Sequence, residues 1–486
     1  MKIPRCKGAR DLLPQDMSRF RRIEEVFRAC CLAWGYGEIR TPTLEYLQLF
    51  TSAGTLSPSM LDRVYSFLDW DGWSGERVVL RPDGTIPSAR LYVENLSKSR
   101  GRGSGGGGQG TNNCQLTTDN WPVARLCYIE NMFSFEGSGQ ESRERWQCGV
   151  ELIGGTEPEG DSELIMLALE ILQKLDVRLV NVRLSHVGLL KALLQELGME
   201  DKEQAQMLGE MLAGDTGALS RYASQESRVK SQESKGGGLQ SEASPDSRLQ
   251  TFIRLLGLQG KSPGFLANLK SVLPEKFCAI KTYIDDLAQV AELLDSIGQS
   301  YQIDFASGEG FEYYTGMVFR FYSSEELVGK GGRYDELIPL VGGDNVPASG
   351  FALFTDRLIS LLGAIIGEEK SERILLTGRT GNIQEMKSSF EIASLLREKG
   401  CIVENDLGQR HGDDYRWIVS LEKDGEAILL TLTDKTTGRE QKGLSVDQLL
   451  QRVESQESRV ESRGGAGDSR PQTPDSRLQE EEAKCH

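Results

Sequence analysis

The stretch Arg145–Gly155 reads RWQCGVELIGG, a short run of strand-forming residues that ends at a pair of glycines. Residues four apart in an extended strand lie on the same face, so Gln147 and Glu151 should point to one side of a sheet. A similar run, YIENMFSFE, begins at Tyr128, and a short polar segment separates the two. Strands that return through connections this short pair antiparallel. The stretch therefore predicts an antiparallel sheet with polar side chains on one face.

Further segments on either side extend this pattern into a fold class. Short β-type segments bounded by glycine or proline alternate in groups with helical segments, in which apolar residues recur every three or four positions. Such segregation of helices from groups of strands is typical of an α+β fold. After Glu369 strands and helices alternate, which predicts a small α/β domain. The β-type segments include EIRTPTLE (from Glu38), VVLRPDGT (from Val78), YYTGMVFRFY (from Tyr313) and KGGRYDEL (from Lys330), and the helical segments are 17–34, 162–175, 187–197, 265–273 and 284–297.

Composition separates ordered blocks from low-complexity sequence. The segments 98–113, 220–250 and 451–486 carry almost no apolar residues, so burial cannot offset the entropy of ordering them. The remaining sequence predicts a domain over residues 1–368, interrupted by the flexible insert 98–113 and by a helical insertion at about 187–297 that contains 220–250. A small α/β domain follows over residues 371–450, and 451–486 is a disordered tail.

Charge and residue usage limit the function classes. The formal charge of -16 disfavours electrostatic binding of nucleic acid. There is neither an apolar run long enough to cross a bilayer nor an N-terminal secretion signal, so a cytoplasmic location is expected. Nine cysteines without a CxxC pair and three histidines predict reduced structural thiols and neither a metal site nor a metal cofactor.

The candidate site consists of polar residues on strands next to glycine or proline. Several carboxylates with an amide and phenol groups on one sheet face would suit a small cationic amine such as an amino acid. A solvated sheet face with ordinary turn glycines is the alternative that these residues alone leave open. The set comprises Asp83 and Thr85 in LRPDGT, Gln147 and Glu151, Glu312, Tyr313 and Tyr314 in FEYYTG, and Arg333 and Tyr334 in GGRYD.

Long motifs in a fixed order give the chain a family resemblance. KGARDLLP, GYGEIRTPTLE, LRPDGT, FEYYTG, GGRYDEL and ASGFALFTDRL resemble the histidyl branch of the class II aminoacyl-tRNA synthetases. The resemblance implies the six-stranded antiparallel catalytic sheet of that class, with a dimer formed through the first motif around Pro42. Residues 373–450 resemble the C-terminal anticodon-binding domain of the family. With 11 Lys+Arg against 13 Asp+Glu, this segment is poorly suited to gripping an anticodon stem.

Three departures from the family pattern fall on the expected ATP site. Ser134 stands where the family has an arginine that holds the α-phosphate, and a hydroxyl lacks its charge and forked donors. Glu309 replaces a second arginine, and its carboxylate would repel a triphosphate. Phe354 replaces the glycine that makes room for adenine, although Arg357 is retained. Aminoacyl-adenylate formation is therefore not expected.

The amino-acid site implied by the resemblance is largely retained. Asp83, which is glutamate in most of these synthetases, matches a contact to the α-amino group, as do Thr85 and Gln147. Glu151 and Tyr314 match contacts to the imidazole, and Tyr313 and Tyr334 complete the expected histidine pocket.

A histidine pocket without an ATP pocket resembles one paralogous group, the regulatory subunits of ATP phosphoribosyltransferase. That resemblance implies a non-catalytic protein without a cofactor, which partners a short-form catalytic subunit in the first step of histidine biosynthesis and allows feedback regulation by histidine. An active histidine-tRNA ligase is the alternative. An amino-acid-binding protein that acts elsewhere is a third possibility.

Overall fold

The structure is a computed structural model, and its chain separates into two compact units, Met1–Gly363 and Ala364–His486. The predicted low-complexity segments 98–113 and 220–250 lie outside the described residues. The predicted tail 451–486 also lies outside them from residue 453 onward. The residues described are 3–52, 63–69, 75–97, 123–135, 142–196, 199–200, 203–204, 206–207, 259–273, 277–305, 313–362, 373–377, 383–406, 415–424 and 427–452.

A nine-stranded sheet dominates the first unit. Its order is β1-β5-β6-β12-β11-β10-β7-β9-β8, and the six strands from β5 to β7 in this order pair antiparallel. β1 and β9 add parallel pairs at the two sides. The strands are β1 Gly37–Glu38, β5 Ala124–Phe133, β6 Glu144–Ile153, β7 Val180–His186, β8 Gln259–Gly260, β9 Tyr301–Asp304, β10 Met317–Ser323, β11 Glu326–Arg333 and β12 Ala348–Phe354.

Helices cover one face of this sheet. α1 (Pro14–Ala33) buries Phe20, Ile23 and Phe27, whose spacing of three and four places them on one side. Pro14 occupies the first turn of the helix, where a missing N–H costs nothing. These side chains share one apolar core with α4 (Glu159–Lys174) and with the inward face of the sheet.

The predicted helical insertion supplies the other part of the same core. In it, α5 (Val187–Glu196), α6 (Pro263–Val272) and α7 (Cys278–Ser296) pack together. α7 begins six residues before its predicted start at Ile284, because Cys278–Tyr283 precede the clearly periodic part of the sequence. Among the described residues, no helix combines the length and the apolar character needed to cross a bilayer.

A three-stranded sheet of order β2-β4-β3 adjoins the main sheet. A buried ion pair ties the two: Arg81 Nη1 lies 2.5 Å from Glu130 Oε2, and Glu130 Oε1 accepts a 2.6 Å hydrogen bond from the Thr41 N–H. This junction holds the loop that follows β4 against β5. The remaining elements of the unit are β2 Leu44–Tyr46, α2 Leu47–Ser52, β3 Ser66–Asp69, β4 Glu76–Leu80, α3 Thr85–Leu91 followed by a π-helical turn Tyr92–Leu96, α8 Leu337–Leu340 and α9 Thr355–Leu361.

The second unit is a small α/β domain. Its sheet has the order β14-β13-β15-β16-β17, with parallel pairs around β13 and antiparallel pairs beyond β15. Both the α+β class and the separate C-terminal sheet are confirmed. The elements are β13 Arg373–Thr377, α10 Ile383–Glu398, β14 Ile402–Asn405, β15 Trp417–Asp424, β16 Ala427–Asp434 and β17 Glu440–Leu444.

Candidate amino-acid pocket

The face of the main sheet opposite α1 and α4 carries the candidate site. Gln147 pairs with Phe354 and Glu151 pairs with Gly350 in the β6–β12 ladder, so both polar side chains lie on one face, as their spacing predicts. A Cβ built on Gly350 would lie 2.2 Å from Glu151 Oε2. The glycine therefore leaves the space that the Glu151 carboxylate occupies.

Glu151 lies at the centre of this face. Its side chain is buried, and its two carboxylate oxygens accept hydrogen bonds from two phenols, Tyr128 at 3.3 Å and Tyr334. Burial raises the pKa of the Glu151 carboxyl to about 8, against the opposing effect of hydrogen bonds from Tyr334, Thr85 and Tyr128. No ion pair joins Glu151 to a cation among the described residues, and such a buried carboxylate favours a ligand that brings positive charge or hydrogen-bond donors.

Asp83 forms the second acidic group of the pocket. It lies just before α3, and its Oδ1 accepts a 3.0 Å hydrogen bond from the N–H of Ile86 in the first turn of that helix. Burial raises the pKa of Asp83 to about 6, whereas the amides of Ile86, Thr85 and Gly84 and the ammonium of Lys330 lower it. Because the amides of this turn orient it, the carboxylate presents its charge at a fixed point.

Three tyrosines close the pocket. The rings of Tyr313 and Tyr314 lie 4.9 Å apart between centroids, and Tyr313 meets Tyr334 edge-on at 5.4 Å. All three are buried, and burial raises the pKa of each phenol, so the hydroxyls stay protonated and can donate. A Cβ on Gly332 would come within 2.8 Å of the Tyr314 ring, so the absence of a side chain at Gly332 leaves space for this ring.

Tyr128 is a pocket residue that the motifs do not single out. Its ring fills the space above two glycines, since a Cβ on Gly84 or Gly149 would lie 2.5 Å or 2.1 Å from its Cζ. Gly149 is its partner across the β5–β6 ladder. An isolated glycine in a strand often marks a close approach of another group, so Gly149 in the run WQCGVEL is a signal that could have led to Tyr128.

The far end of the same face carries the positions expected to bind ATP. Phe354 ends β12 directly opposite Gln147, so an aromatic ring stands beside the amide on the pocket face. Ser134 follows β5, where its N–H donates a 3.0 Å hydrogen bond to the Arg143 carbonyl. Glu309 and Glu312 lie outside the described residues. The structure thus brings Asp83, Thr85, Glu151, Tyr313, Tyr314 and Tyr334 together. Gln147 lies on the same face, four residues along β6 from Glu151 and opposite Phe354.

Arg333 belongs to another environment, although the sequence groups it with Tyr334. Its buried guanidinium donates to Asp161 at 2.9 and 3.2 Å and to the Gly155 carbonyl at 2.9 Å, on the opposite side of the strand from Tyr334. Burial raises the pKa of Asp161 to about 6 despite this pairing. Arg333 therefore holds the loop after β6 and lies outside the pocket.

One cluster near Arg333 has the residue types of a metal site. Potential ligand atoms of Glu157, His186 and Asp286 lie within 4.8 Å of one another. Burial lowers the pKa of His186 to about 3, so its imidazole is neutral, and its Nδ1 accepts a 3.2 Å hydrogen bond from the Leu189 N–H. The ring proton is then on Nε2, so neither nitrogen offers an unused lone pair. This arrangement does not favour metal ligation.

Comparison with known proteins identifies the family of this chain and its relatives. The profile of the family described as histidyl-tRNA synthetase matches residues 8–102 and 115–358. An ATP phosphoribosyltransferase regulatory subunit of Dehalococcoides mccartyi is 43% identical over 436 residues, which cover 89% of this chain and 95% of that protein. A histidine-tRNA ligase of Methanosarcina acetivorans is 30% identical over 472 residues, covering 94% of this chain and all of that protein.

Two solved structures share the fold. A protein of Bacillus halodurans, described as an ATP phosphoribosyltransferase regulatory subunit/histidyl-tRNA synthetase, superposes with a TM-score of 0.66 and 24% identity, covering 86% of this chain and 98% of that one. An apo histidyl-tRNA synthetase of Staphylococcus aureus gives a TM-score of 0.60 and 22% identity, covering 93% and 99%. At sequence identities this low, the similarity shows a shared fold and nothing about function.

Proposed function

This chain belongs to the histidyl-tRNA synthetase-like family of ATP phosphoribosyltransferase regulatory subunits, and we propose that it senses histidine through the pocket on its main sheet. Its function is regulation of the enzyme that carries out the first step of histidine biosynthesis. Identity to the regulatory subunits is 43%, against 30–31% to the ligases, which favours regulation over tRNA charging.

The observation that carries the histidine assignment is the pairing of charges and phenols in the pocket. Asp83 suits the α-ammonium of an amino acid because a carboxylate attracts and accepts from it. Glu151 suits the imidazole, whose N–H needs an acceptor at the closed end of the site. Tyr314 supplies an aromatic wall, and Thr85 and Gln147 add polar contacts to the ligand. Together these groups favour a small cationic amino acid over an uncharged ligand.

The nucleotide end of the face supports a non-catalytic role. Phe354 stands beside Gln147, where its ring occupies space next to the amino-acid site. Ser134 provides no charge for a phosphate. Neither position supplies a group that would activate a ligand of the amino-acid pocket, and the glycosyl transfer belongs to a separate, short-form catalytic subunit.

Self-association through the first motif is a further part of the proposal. The small sheet that adjoins the motif exposes four large apolar side chains, which a second copy of the chain would cover. These are Leu44, Tyr46, Phe67 and Leu68.

The decisive experiment mixes the purified chain with a short-form ATP phosphoribosyltransferase catalytic subunit. We expect the mixture to form phosphoribosyl-ATP faster than the catalytic subunit alone, and we expect added histidine to slow it. Transferase activity that does not respond to the chain would overturn the assignment. Activity that responds to the chain but not to histidine would refute only the sensing role.

A histidine-dependent ATP–pyrophosphate exchange assay separates this function from tRNA charging. We expect no exchange above the level seen without enzyme, because three of the residues expected at the ATP site are replaced. Robust exchange that depends on histidine would establish an active ligase instead.

A further inference from the structure

The charge balance of the pocket leaves one part of the ligand without a partner. Free histidine carries an α-carboxylate as well as an α-ammonium, and Asp83 and Glu151 already bring two buried acidic groups to the site. Burial already raises the pKa of both carboxyls, so ionisation of a third carboxylate beside them is unfavourable unless a cation lies close to it. A pocket for an amino acid therefore needs a basic side chain on the same face.

Lys330 is placed to supply that charge. It lies on β11 two residues before Gly332, which faces the Tyr314 ring, and residues two apart in a strand share a face. In the β11–β12 ladder Lys330 pairs with Ala352, next to the Gly350 position that borders Glu151. Its ammonium acts on Asp83, where it opposes the effect of burial on the pKa of that carboxyl.

Arg320 strengthens the positive charge at this point. It stands directly opposite Lys330 in the β10–β11 ladder, and its own partner in the β7–β10 ladder is Arg183. Cations in register on neighbouring strands repel one another, so a nearby anion is stabilising, as Glu325 is for Arg183 at 3.9 Å. The outermost one, Arg183, lies over the Tyr322 ring at 4.1 Å, whereas Arg320 is buried and also acts on Tyr314.

We propose that Lys330, with Arg320 beside it, binds the α-carboxylate of the amino acid held in the pocket. The proposal rests on the proposed function, because it assumes that the ligand is histidine or a close analogue. Its consequence is selectivity: the pocket distinguishes an amino acid from the corresponding amino alcohol, in which a neutral hydroxymethyl group replaces the carboxylate.

The test compares histidine with histidinol by calorimetry on the full chain and on Lys330→Gln. We expect the wild-type protein to bind histidine at least tenfold more tightly than histidinol. In Lys330→Gln the histidine affinity should fall by about tenfold or more and the histidinol affinity by less than about threefold, because a charge-assisted hydrogen bond to the carboxylate is lost. Any effect that Lys330→Gln has through Asp83 changes the affinities for histidine and histidinol alike. Such an effect therefore cancels in the ratio of the two affinities.

Two further variants control this comparison. Lys174→Gln removes the same charge from an exposed lysine that pairs with Glu170, and it should leave the ratio unchanged. Lys330→Arg keeps the charge and should retain the preference for histidine. Should Lys330→Gln not fold, Lys330→Met, which keeps a similar aliphatic stem, serves for the same measurement.

The outcomes separate the two hypotheses. A wild-type protein that binds neither ligand overturns the proposed sensing function and this assignment with it. Tight histidine binding with the same histidine-to-histidinol ratio in wild type and Lys330→Gln leaves the function standing and overturns the role of Lys330. Equal loss of both ligands in Lys330→Gln also overturns it, since that pattern indicates a structural role.

Discussion

The two ends of the pocket face differ in how tightly their side chains constrain one another. At the amino-acid end, Glu151, Tyr128 and Tyr334 form one buried hydrogen-bonded group, and three glycines shape the backbone around it. At the nucleotide end, Ser134 bonds through its backbone and Phe354 contributes a ring. A network in which each polar group has a partner is expensive to alter, whereas isolated side chains can be replaced singly. On the proposed function, this difference explains why the amino-acid end would keep its site while the nucleotide end could change.

The largest effect on histidine affinity is expected from a substitution of Glu151, at the centre of the amino-acid end. Glu151→Ala removes the acceptor proposed for the imidazole and leaves the hydroxyls of Tyr128 and Tyr334 without their buried partner. Loss of a charged hydrogen-bond partner costs about 1.5–3 kcal/mol, so histidine affinity should fall roughly tenfold or more. Calorimetric titration with histidine measures this. Unchanged affinity would show that the carboxylate does not contact the ligand.

A second prediction concerns the fit of Tyr128. Gly149→Ala would place a methyl group within the Tyr128 ring, and the ring must then leave its position. Overpacking of this kind lowers the free energy of unfolding by about 1–3 kcal/mol, and it should weaken histidine binding through the displaced hydroxyl. Urea unfolding checks the stability. Gly149→Ala combined with Tyr128→Ala should recover part of the loss, since the clash is then removed; no recovery would mean that the strain lies elsewhere.

The pH dependence of stability offers a third comparison. In the folded chain burial raises the pKa of Glu151 from an ordinary value of 4.5 to about 8, so between these pH values the folded state binds more protons than the unfolded state. The free energy of unfolding therefore falls as pH rises through this window. Glu151→Gln cannot titrate and should show a shallower fall between pH 5 and 8.5 in urea unfolding. Parallel curves for the two proteins would contradict the raised pKa.

The smallest effect is expected from altering the nucleotide end. Ser134→Arg with Phe354→Gly restores two family residues, yet histidine affinity should change by less than about twofold, because neither side chain bonds to the Glu151 group. Exchange of pyrophosphate should stay at background in this variant, since Glu309 still replaces the second arginine implied by the family resemblance. A large loss of histidine affinity would show that the two ends are coupled. Exchange activity would show that only these two substitutions separate the chain from the ligases.

Sequence patterns predicted the central strands well and the pocket partly. Gln147 and Glu151 lie on one face because a strand has a period of two, a property that no distant contact can change. The strands added at the sheet edges, β8 and β9, are short, and pairing with distant partners decides them more than their own residues do. Tyr128 has no special neighbours along the chain, so its place in the site depends on pairing with Gly149 across the ladder.

The sequence by itself determined the α+β class, the family resemblance and the chemical types gathered from LRPDGT, WQCGVEL, FEYYTG and GGRYD, because these depend on local periodicity and on the residues themselves. The tertiary structure decided which of these side chains meet. It separated Arg333 from its neighbour Tyr334 by the alternation of the strand, and it brought Lys330 to the face that carries Glu151. Burial also raised the pKa values of Asp83 and Glu151, since a carboxylate loses hydration only when distant parts of the chain enclose it.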